Sequence, residues 1–238
     1  VVAIASLGGF LSVAMSIVGV QWNRFASEAN FRLAISPDGI RVRRGLLSTR
    51  AQTIPPRRIH AIQVQQPFFW RFLGWYRVSI LQAGYGAKDT DSNQQQSSHI
   101  LIPVGTRQDV EFALWMVFND LGVDDVPSFI EAALAGKGSG QGFVQMSPRA
   151  RCLDPFAYHR RARAITRTTF VIRDGWLNWK SLWAPIARLQ SVRVQSGPLE
   201  RKLGVASLHM DVVPGAFKMI AEHQDASQAS ADIYTLLI

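Results

Sequence analysis

One stretch of this chain occurs twice. Residues 55–80 align with residues 185–210 at a spacing of 130 positions. The aligned pairs that are identical are Pro55/Pro185, Arg58/Arg188, Val64/Val194, Gln65/Gln195, Arg71/Arg201, Leu73/Leu203 and Gly74/Gly204. Other aligned pairs exchange one apolar side chain for another, so the chain is built from two copies of one unit, here called copy 1 and copy 2.

Apolar and polar residues alternate within each copy. Ile62 and Val64 alternate with glutamines in copy 1, and Val192 and Val194 lie at the same places in copy 2. This period of two is what a strand with one face on a core and one face in water requires. The unit is therefore predicted to be mostly antiparallel β.

The alignment continues upstream with a different spacing. The dipeptide Asp38-Gly39 matches Asp174-Gly175 at a spacing of 136 positions. We therefore expect copy 2 to be six residues shorter than copy 1 between this dipeptide and the repeat, with a loop that absorbs the difference.

The order of motifs in each copy resembles a known bacterial family. A proline is followed by Arg-Ile or by Arg-Leu, a strand that ends in Val-Gln, a short connection, and Arg-x-Leu-Gly before the next strand. This order resembles the bacterial pleckstrin-homology-like family once called the membrane-flanked domain, over residues 31–122 and about 167–238. The resemblance implies two bent β-sandwich or barrel domains, each closed by a C-terminal helix. It also implies transmembrane helices ahead of the domains, as in the C-terminal half of a multi-domain member.

Helix signals after each repeat agree with this architecture. Thr106 and Asp109 form a capping-box-like start, and the apolar residues that follow fall on one helical face up to Gly122. A second candidate helix begins at Ser227. The predicted fold is mainly β with closing helices: domains at 31–122 and 167–238, joined by a linker at 123–166 with a short helix, a Gly-rich segment and an Arg-rich segment.

The first twenty residues contain no charged side chain. About 20 apolar residues span the hydrocarbon core of a bilayer, and Trp22 and Arg24 follow as interface anchors. We predict a transmembrane helix within residues 1–25; a buried core helix is the alternative. The small residues Gly8, Ser12 and Ser16 lie four apart and favour packing against another helix. The chain lacks an initiator Met, so we expect the natural protein to begin upstream.

Charge and cysteine content suggest where the repeats lie. Several arginines follow the apolar segment, and the positive-inside tendency then places both repeats on the cytoplasmic side of the cell membrane. The single Cys152 agrees, because one thiol forms no internal disulfide.

The sequence contains no recognisable catalytic or metal-binding motif. Its five histidines are scattered, and neither an HExxH zinc motif, a P-loop nor a nucleophile elbow occurs. We therefore expect a protein that is not an enzyme and that has no cofactor and no metal.

The net charge of +9 indicates an anionic partner. Two surfaces are candidates: aromatic residues and arginines of copy 1, and arginines just before copy 2. The predicted lipid- or partner-binding residues are Arg41, Arg43, Arg44, Phe68, Trp70, Arg71, Arg160, Arg161 and Arg163. Alternatively, the aromatics pack on the other domain, and the arginines of the linker are solvated or stack between the domains.

We expect a membrane-anchored cytoplasmic adaptor whose tandem domains engage the anionic membrane surface. The alternative is a structural subunit of a membrane-protein complex or homo-oligomer, which binds protein and not lipid. We do not expect nucleic acid as a partner, because the chain is predicted to be tethered to a membrane and shows no recognition helix or stacking motif.

Overall fold

The computed structural model describes residues 32–36, 39–44, 50–82, 100–213 and 215–237. The chain divides into two compact units, Val1–Pro55 and Pro56–Ile238. Within the described ranges, no helix combines the length and the apolar character needed to cross a bilayer. The predicted transmembrane segment and its Gly8, Ser12 and Ser16 lie outside the described residues, so this segment stays a prediction.

Unit 1 contains a small antiparallel sheet. Its strands are β1 (Arg32–Ser36), β2 (Gly39–Arg44) and β3 (Arg50–Ile54), in the order β1-β2-β3. Ile40 of β2 pairs with Ile54 of β3, and both side chains are buried. In the strand order of this sheet, β3 lies at one edge among the described residues.

Unit 2 contains the rest of copy 1 and all of copy 2. The copy 1 elements are β4 (Ile59–Pro67), α1 (Phe68–Leu73), β5 (Tyr76–Gln82), β6 (Ile100–Gly105) and α2 (Arg107–Val117). The elements that follow are α3 (Val126–Leu134), β7 (Phe143–Gln145), β8 (Ala162–Ile165), β9 (Thr169–Asp174), β10 (Asn178–Pro185), β11 (Ser191–Gln195), α4 (Pro198–Leu203), β12 (Val205–Asp211), β13 (Met219–Asp225) and α5 (Ala226–Leu237).

Two sheets organise unit 2. One has seven strands in the order β6-β5-β4-β10-β9-β8-β7, and the other has the order β11-β12-β13. Strand β4 of copy 1 pairs antiparallel with β10 of copy 2, with Val64 opposite Ser181. The seven-stranded sheet is therefore continuous from one repeat into the other, and the mainly β architecture is confirmed.

The strands β1 to β5 correspond to β8 to β12 at a constant spacing of 130 residues. Ile35 pairs with Ile40 in copy 1, and Ile165 pairs with Phe170 in copy 2. Pairs further along keep the same spacing, as Val64 with Val78 and Val194 with Leu208 show. The predicted six-residue shift upstream is therefore wrong. Gly39 begins β2, whereas Asp174 ends β9, so the matched dipeptides belong to different hairpins.

The closing helices form where the sequence predicts them. At the start of α2, the Thr106 N–H donates to Asp109 Oδ2 at 2.7 Å and the Asp109 N–H donates to Thr106 Oγ1 at 3.5 Å. The helix ends at Val117, before the predicted stop at Gly122, because Phe118 adopts an extended conformation. The Phe118 ring lies 6.4 Å from that of the fully buried Trp183.

The stretch predicted as a linker is folded against copy 2. It contains α3, β7 and β8, and β7 pairs with β8 at the edge of the large sheet. Phe129 of α3 packs its ring 5.8 Å from Trp183 and stacks on Phe143 of β7 at 5.2 Å. Aromatic packing thus holds this segment on the sheet.

The repeats also share apolar packing. The core cluster between the sheets of copy 2 includes Phe170, Leu182 and Leu208. Ala61 of β4 and Leu81 of β5 belong to the same cluster, although both come from copy 1. The second half of copy 1 is therefore packed into the core of copy 2.

Candidate functional site

A cleft of about 540 Å³ opens at one end of the seven-stranded sheet. Pro67 at the end of β4 pairs with Asn178 at the start of β10. This register brings α1, which follows Pro67, beside the tip of the β9–β10 hairpin. The cleft is lined by Phe68, Arg71, Lys137, Phe156, His159, Arg160, Gly175, Trp176, Leu177 and Trp179. Four of these lining residues have basic side chains and none is acidic.

Two guanidinium groups lie over one indole ring in the cleft. The Arg71 Cζ is 4.0 Å from the centre of the Trp179 ring, and the Arg160 Cζ is 4.3 Å from it. Cation–π attraction to the ring offsets part of the repulsion between these like charges. The indole thus holds two positive charges at the floor of the cleft.

Arg71 joins the two repeats and keeps one donor unpaired. Its Nη2 donates to the carbonyl oxygens of Trp176 at 2.7 Å and Leu177 at 2.6 Å. Its Nε is buried without a hydrogen-bond partner among the described residues. Burial lowers the pKa of Arg71 because desolvation disfavours its charged form. Arg71 therefore brings a positive charge to a cleft whose described lining contains no carboxylate.

Arg160 is buried at the end of α3. Its Nη2 donates to Leu134 O at 2.7 Å and its Nη1 donates to Gly136 O at 3.2 Å. These carbonyl groups lie at the C-terminal end of the helix, where the helix dipole favours a cation. Burial, together with repulsion from Arg173 and Arg71, lowers the pKa of Arg160 to about 9. The position therefore has a structural role and also contributes positive potential to the cleft.

Exposed apolar side chains surround the cleft, here called the aromatic rim. The rim consists of Phe68, Phe69, Phe72, Phe156, Trp176 and Leu177. Phe69 and Phe72 of α1 are each 77% exposed, and the Phe156 and Trp176 rings lie 4.6 Å apart. The equivalent helix of copy 2, α4, carries no aromatic residue. A contiguous exposed apolar patch of this kind marks an interaction surface.

Three of the predicted site residues meet in the cleft: Phe68, Arg71 and Arg160. Trp70 lies on α1 but does not line the cleft. Its ring packs edge-on against Trp75 at 6.3 Å, and the Arg77 Cζ lies 5.6 Å from its centre. Trp70 therefore helps to hold α1 on its own hairpin.

Arg161 and Arg163 are buried inside the protein, contrary to the predicted surface role. Arg161 forms ion pairs with Asp154 at 2.7 Å, Asp174 at 2.9 Å and Glu222 at 2.8 Å. Arg163 forms an ion pair with Asp232 of α5. Both side chains are enclosed by acidic partners, which leaves no room for a lipid headgroup. Arg161 thus joins the residues just before β8 to β9 and β13, and Arg163 joins β8 to α5.

The remaining predicted arginines belong to β2 in unit 1. Arg41 is exposed. The side chains of Arg43 and Arg44 lie outside what the structure describes. Lipid contact by these three arginines stays a prediction.

The sequence analysis missed half of the cleft. Lys137, His159 and the hairpin tip Gly175-Trp176-Leu177 were not identified as site residues. At the spacing of 130, the sequence of this tip aligns with Gly45-Leu46-Leu47, so both copies have a glycine followed by two apolar residues at this place. The erroneous spacing of 136 upstream concealed this signal.

Comparison with protein families gives one matching family model. The model of the bacterial PH domain matches residues 2–113 and 151–231, in the two parts of the chain where the repeats lie. The chain matches none of the curated proteins. PH-like domains generally serve in binding and generally lack catalytic activity. The chain belongs to the bacterial PH domain family.

Proposed function

We propose that this chain is a non-enzymatic adaptor that docks its cleft and aromatic rim on an anionic membrane surface. The observation that carries the proposal is a cleft with four basic lining residues and no acidic one, directly beside exposed aromatic rings. The headgroup region of a bilayer offers what this surface lacks, which is phosphate for the cations and an apolar boundary for the rings.

The two parts of the surface suit different depths of the bilayer. Aromatic side chains are favoured at the boundary between headgroups and acyl chains. Lys137 and Arg71 both line the cleft, and Lys137 is exposed. With the rim at that boundary, Lys137 and Arg71 lie at the level of the phosphates, where hydrogen bonds between Arg and phosphate are charge-assisted.

An anchor would strengthen such docking. The predicted transmembrane helix at the start of the chain keeps the repeats close to the bilayer, which raises the effective concentration of headgroups at the cleft. On this proposal the repeats lie at the cytoplasmic face, where anionic lipids are concentrated.

Co-sedimentation with vesicles tests the lipid preference. Residues 27–238 would be mixed with neutral vesicles and with vesicles that contain anionic phospholipid, at low and high salt. We expect sedimentation with the anionic vesicles only, and less of it at high salt, because counterions screen the attraction. Equal binding to neutral vesicles would contradict the proposal, and binding to neither would favour a protein partner.

Charge-neutralising variants test the location of the site. We expect Arg71→Gln/Lys137→Gln to lose about 2 kcal/mol of binding free energy, roughly thirtyfold in partitioning, at about 1 kcal/mol for each cation. The matched control, Arg149→Gln/Arg167→Gln, changes the net charge equally at side chains that are 65% and 68% exposed elsewhere. An equal loss in both variants would mean that only the net charge matters.

A further inference from the structure

Strand β4 is covered on both edges, whereas its counterpart in copy 2 is not. Strand β4 pairs with β5 on one side and with β10 on the other, and Ile62 and Val64 are buried. The counterpart β11 pairs with β12 and is an edge strand of its sheet in the described part of the chain. Arg193 at its centre is exposed, whereas the equivalent residue of β4, Gln63, is buried.

Strand β10, which pairs with β4, also has a counterpart with an uncovered edge. Strand β10 corresponds to β3 at the spacing of 130 residues, since Phe170 pairs with Ala184 as Ile40 pairs with Ile54. Within the described residues of unit 1, strand β3 lies at the edge of its sheet. Among the described strands, the β4–β10 pairing is one complete joint between the repeats, and β3 and β11 are the two strands that a second such joint would use.

Side chains that hold the existing joint recur at both uncovered strands. Arg71 crosses the joint to the carbonyl groups of Trp176 and Leu177, and Arg188 crosses it to the carbonyl groups of Pro56 and Ile59. The equivalent residues are Arg201, next to β11, and Arg58, next to β3. Both are exposed. A second joint held by Arg201 and Arg58 would explain why arginine occupies both of these positions in each copy.

We propose that the chain binds a second copy of itself by strand addition, with β3 of one copy along β11 of the next. The register of the existing joint, Val64 opposite Ser181 and Gln63 opposite Leu182, then places Val194 opposite Ala51 and Arg193 opposite Gln52. Both new pairs are compatible, one apolar and one polar. Backbone hydrogen bonds along the strands supply the attraction, as in other complexes formed by strand addition.

The same geometry predicts contacts beyond the strands. Arg201 on α4 follows β11 as Arg71 on α1 follows β4, so we expect Arg201 to donate to backbone carbonyl groups of the second copy. The contact joins two different surfaces, so repetition yields a closed ring or an open filament.

Disulfide cross-linking between separate chains tests the register. The full 238-residue chain would be used in detergent micelles, with the exposed Cys152 replaced by Ser. One preparation carries Ala51→Cys and the other carries Val194→Cys. We expect mild oxidation of the mixture to give a covalent dimer of the two chains, because directly opposed residues in antiparallel strands have the shortest Cβ separation. A chain with both substitutions should form a ladder of higher species.

Two controls make a negative result informative. The pair Val64→Cys/Ser181→Cys occupies the equivalent positions of the existing joint and should form a disulfide within one chain. The pair Gln52→Cys and Val194→Cys is displaced by one residue, which places the thiols on opposite faces. The proposal is overturned if the Ala51/Val194 pair stays monomeric while the first control oxidises. The proposal is also overturned if the displaced pair cross-links as well. The same holds if the chain with both Ala51→Cys and Val194→Cys forms a disulfide only within itself.

Discussion

Neighbouring arginines in the segment before copy 2 have different partners. Arg161 and Arg163 face carboxylates, whereas Arg160 donates to backbone carbonyl groups and lies beside other cations. A buried charge with its partner removed costs several kcal/mol, since the remaining ion has neither water nor a counterion. The role of each arginine thus follows from the groups that surround it.

Arg163 provides a test of this difference. We expect Arg163→Met to lower the free energy of unfolding by about 3 kcal/mol, because the partly buried Asp232 then loses the cation with which it pairs. The double variant Arg163→Met/Asp232→Asn should recover part of the loss in urea denaturation. A variant with unchanged stability and lost vesicle binding would restore the surface role that the sequence predicts.

Glu200 predicts a pH dependence of stability. Burial opposes ionisation of this carboxyl group, but hydrogen bonds from the Gly197 N–H at 2.7 Å, the Ser207 hydroxyl at 2.7 Å and the His223 ring at 3.0 Å outweigh it and lower the pKa of Glu200. A carboxyl group with a lowered folded-state pKa stabilises the protein above its unfolded value, about 4.3, and this contribution disappears as the pH falls through the folded value.

The variant Glu200→Gln isolates this contribution. We expect a loss of about 2 kcal/mol at pH 7, the size typical of hydrogen bonds to a charged group, with the difference from the parent shrinking below pH ~4. Urea denaturation at several pH values measures it. A difference that stays constant from pH 7 to pH 3 would mean that the charge of Glu200 does not contribute.

At the level of elements, local signals predicted the structure well and long-range pairing did not. The capping box of α2 and the alternation in β4 and β11 depend on residues close in sequence. The pairing of β4 with β10 depends on residues far apart in sequence. The alternating pattern within a strand does not identify the strand with which it pairs. Half of the cleft was missed for this reason, because α1 and the β9–β10 hairpin meet only through that pairing.

The helix α1 shows what differs between the two copies. Both α1 and α4 end in a glycine with a left-handed backbone, Gly74 with φ 66° and Gly204 with φ 67°, which explains why glycine is present in both. The aromatic residues on α1 have no such requirement, since Phe69 and Phe72 are exposed. Residues that the fold does not require are the best candidates for function. The comparison of the two copies in the sequence already indicated this helix.

At the level of the whole molecule, the seven-stranded sheet contains strands of both repeats, and residues of both repeats lie in one apolar cluster. The cleft lies where copy 1 meets copy 2, so it exists only in the tandem arrangement. A single copy would carry either the aromatic helix or the hairpin with its neighbouring arginine, and neither alone forms the surface.

The most direct test of membrane docking compares two matched positions on the anchored protein. The full chain, with Cys152→Ser, would carry a nitroxide at Phe69→Cys of α1 or at Leu199→Cys of α4, residues that are 77% and 63% exposed and occupy equivalent places in the two copies. Collision with oxygen, which concentrates in the bilayer, and with a water-soluble nickel complex would be measured in anionic and in neutral bilayers. The account predicts that the label at position 69 enters the bilayer when anionic lipid is present, while the label at position 199 stays in water. Equal exposure of both labels to the nickel complex in anionic bilayers would contradict it.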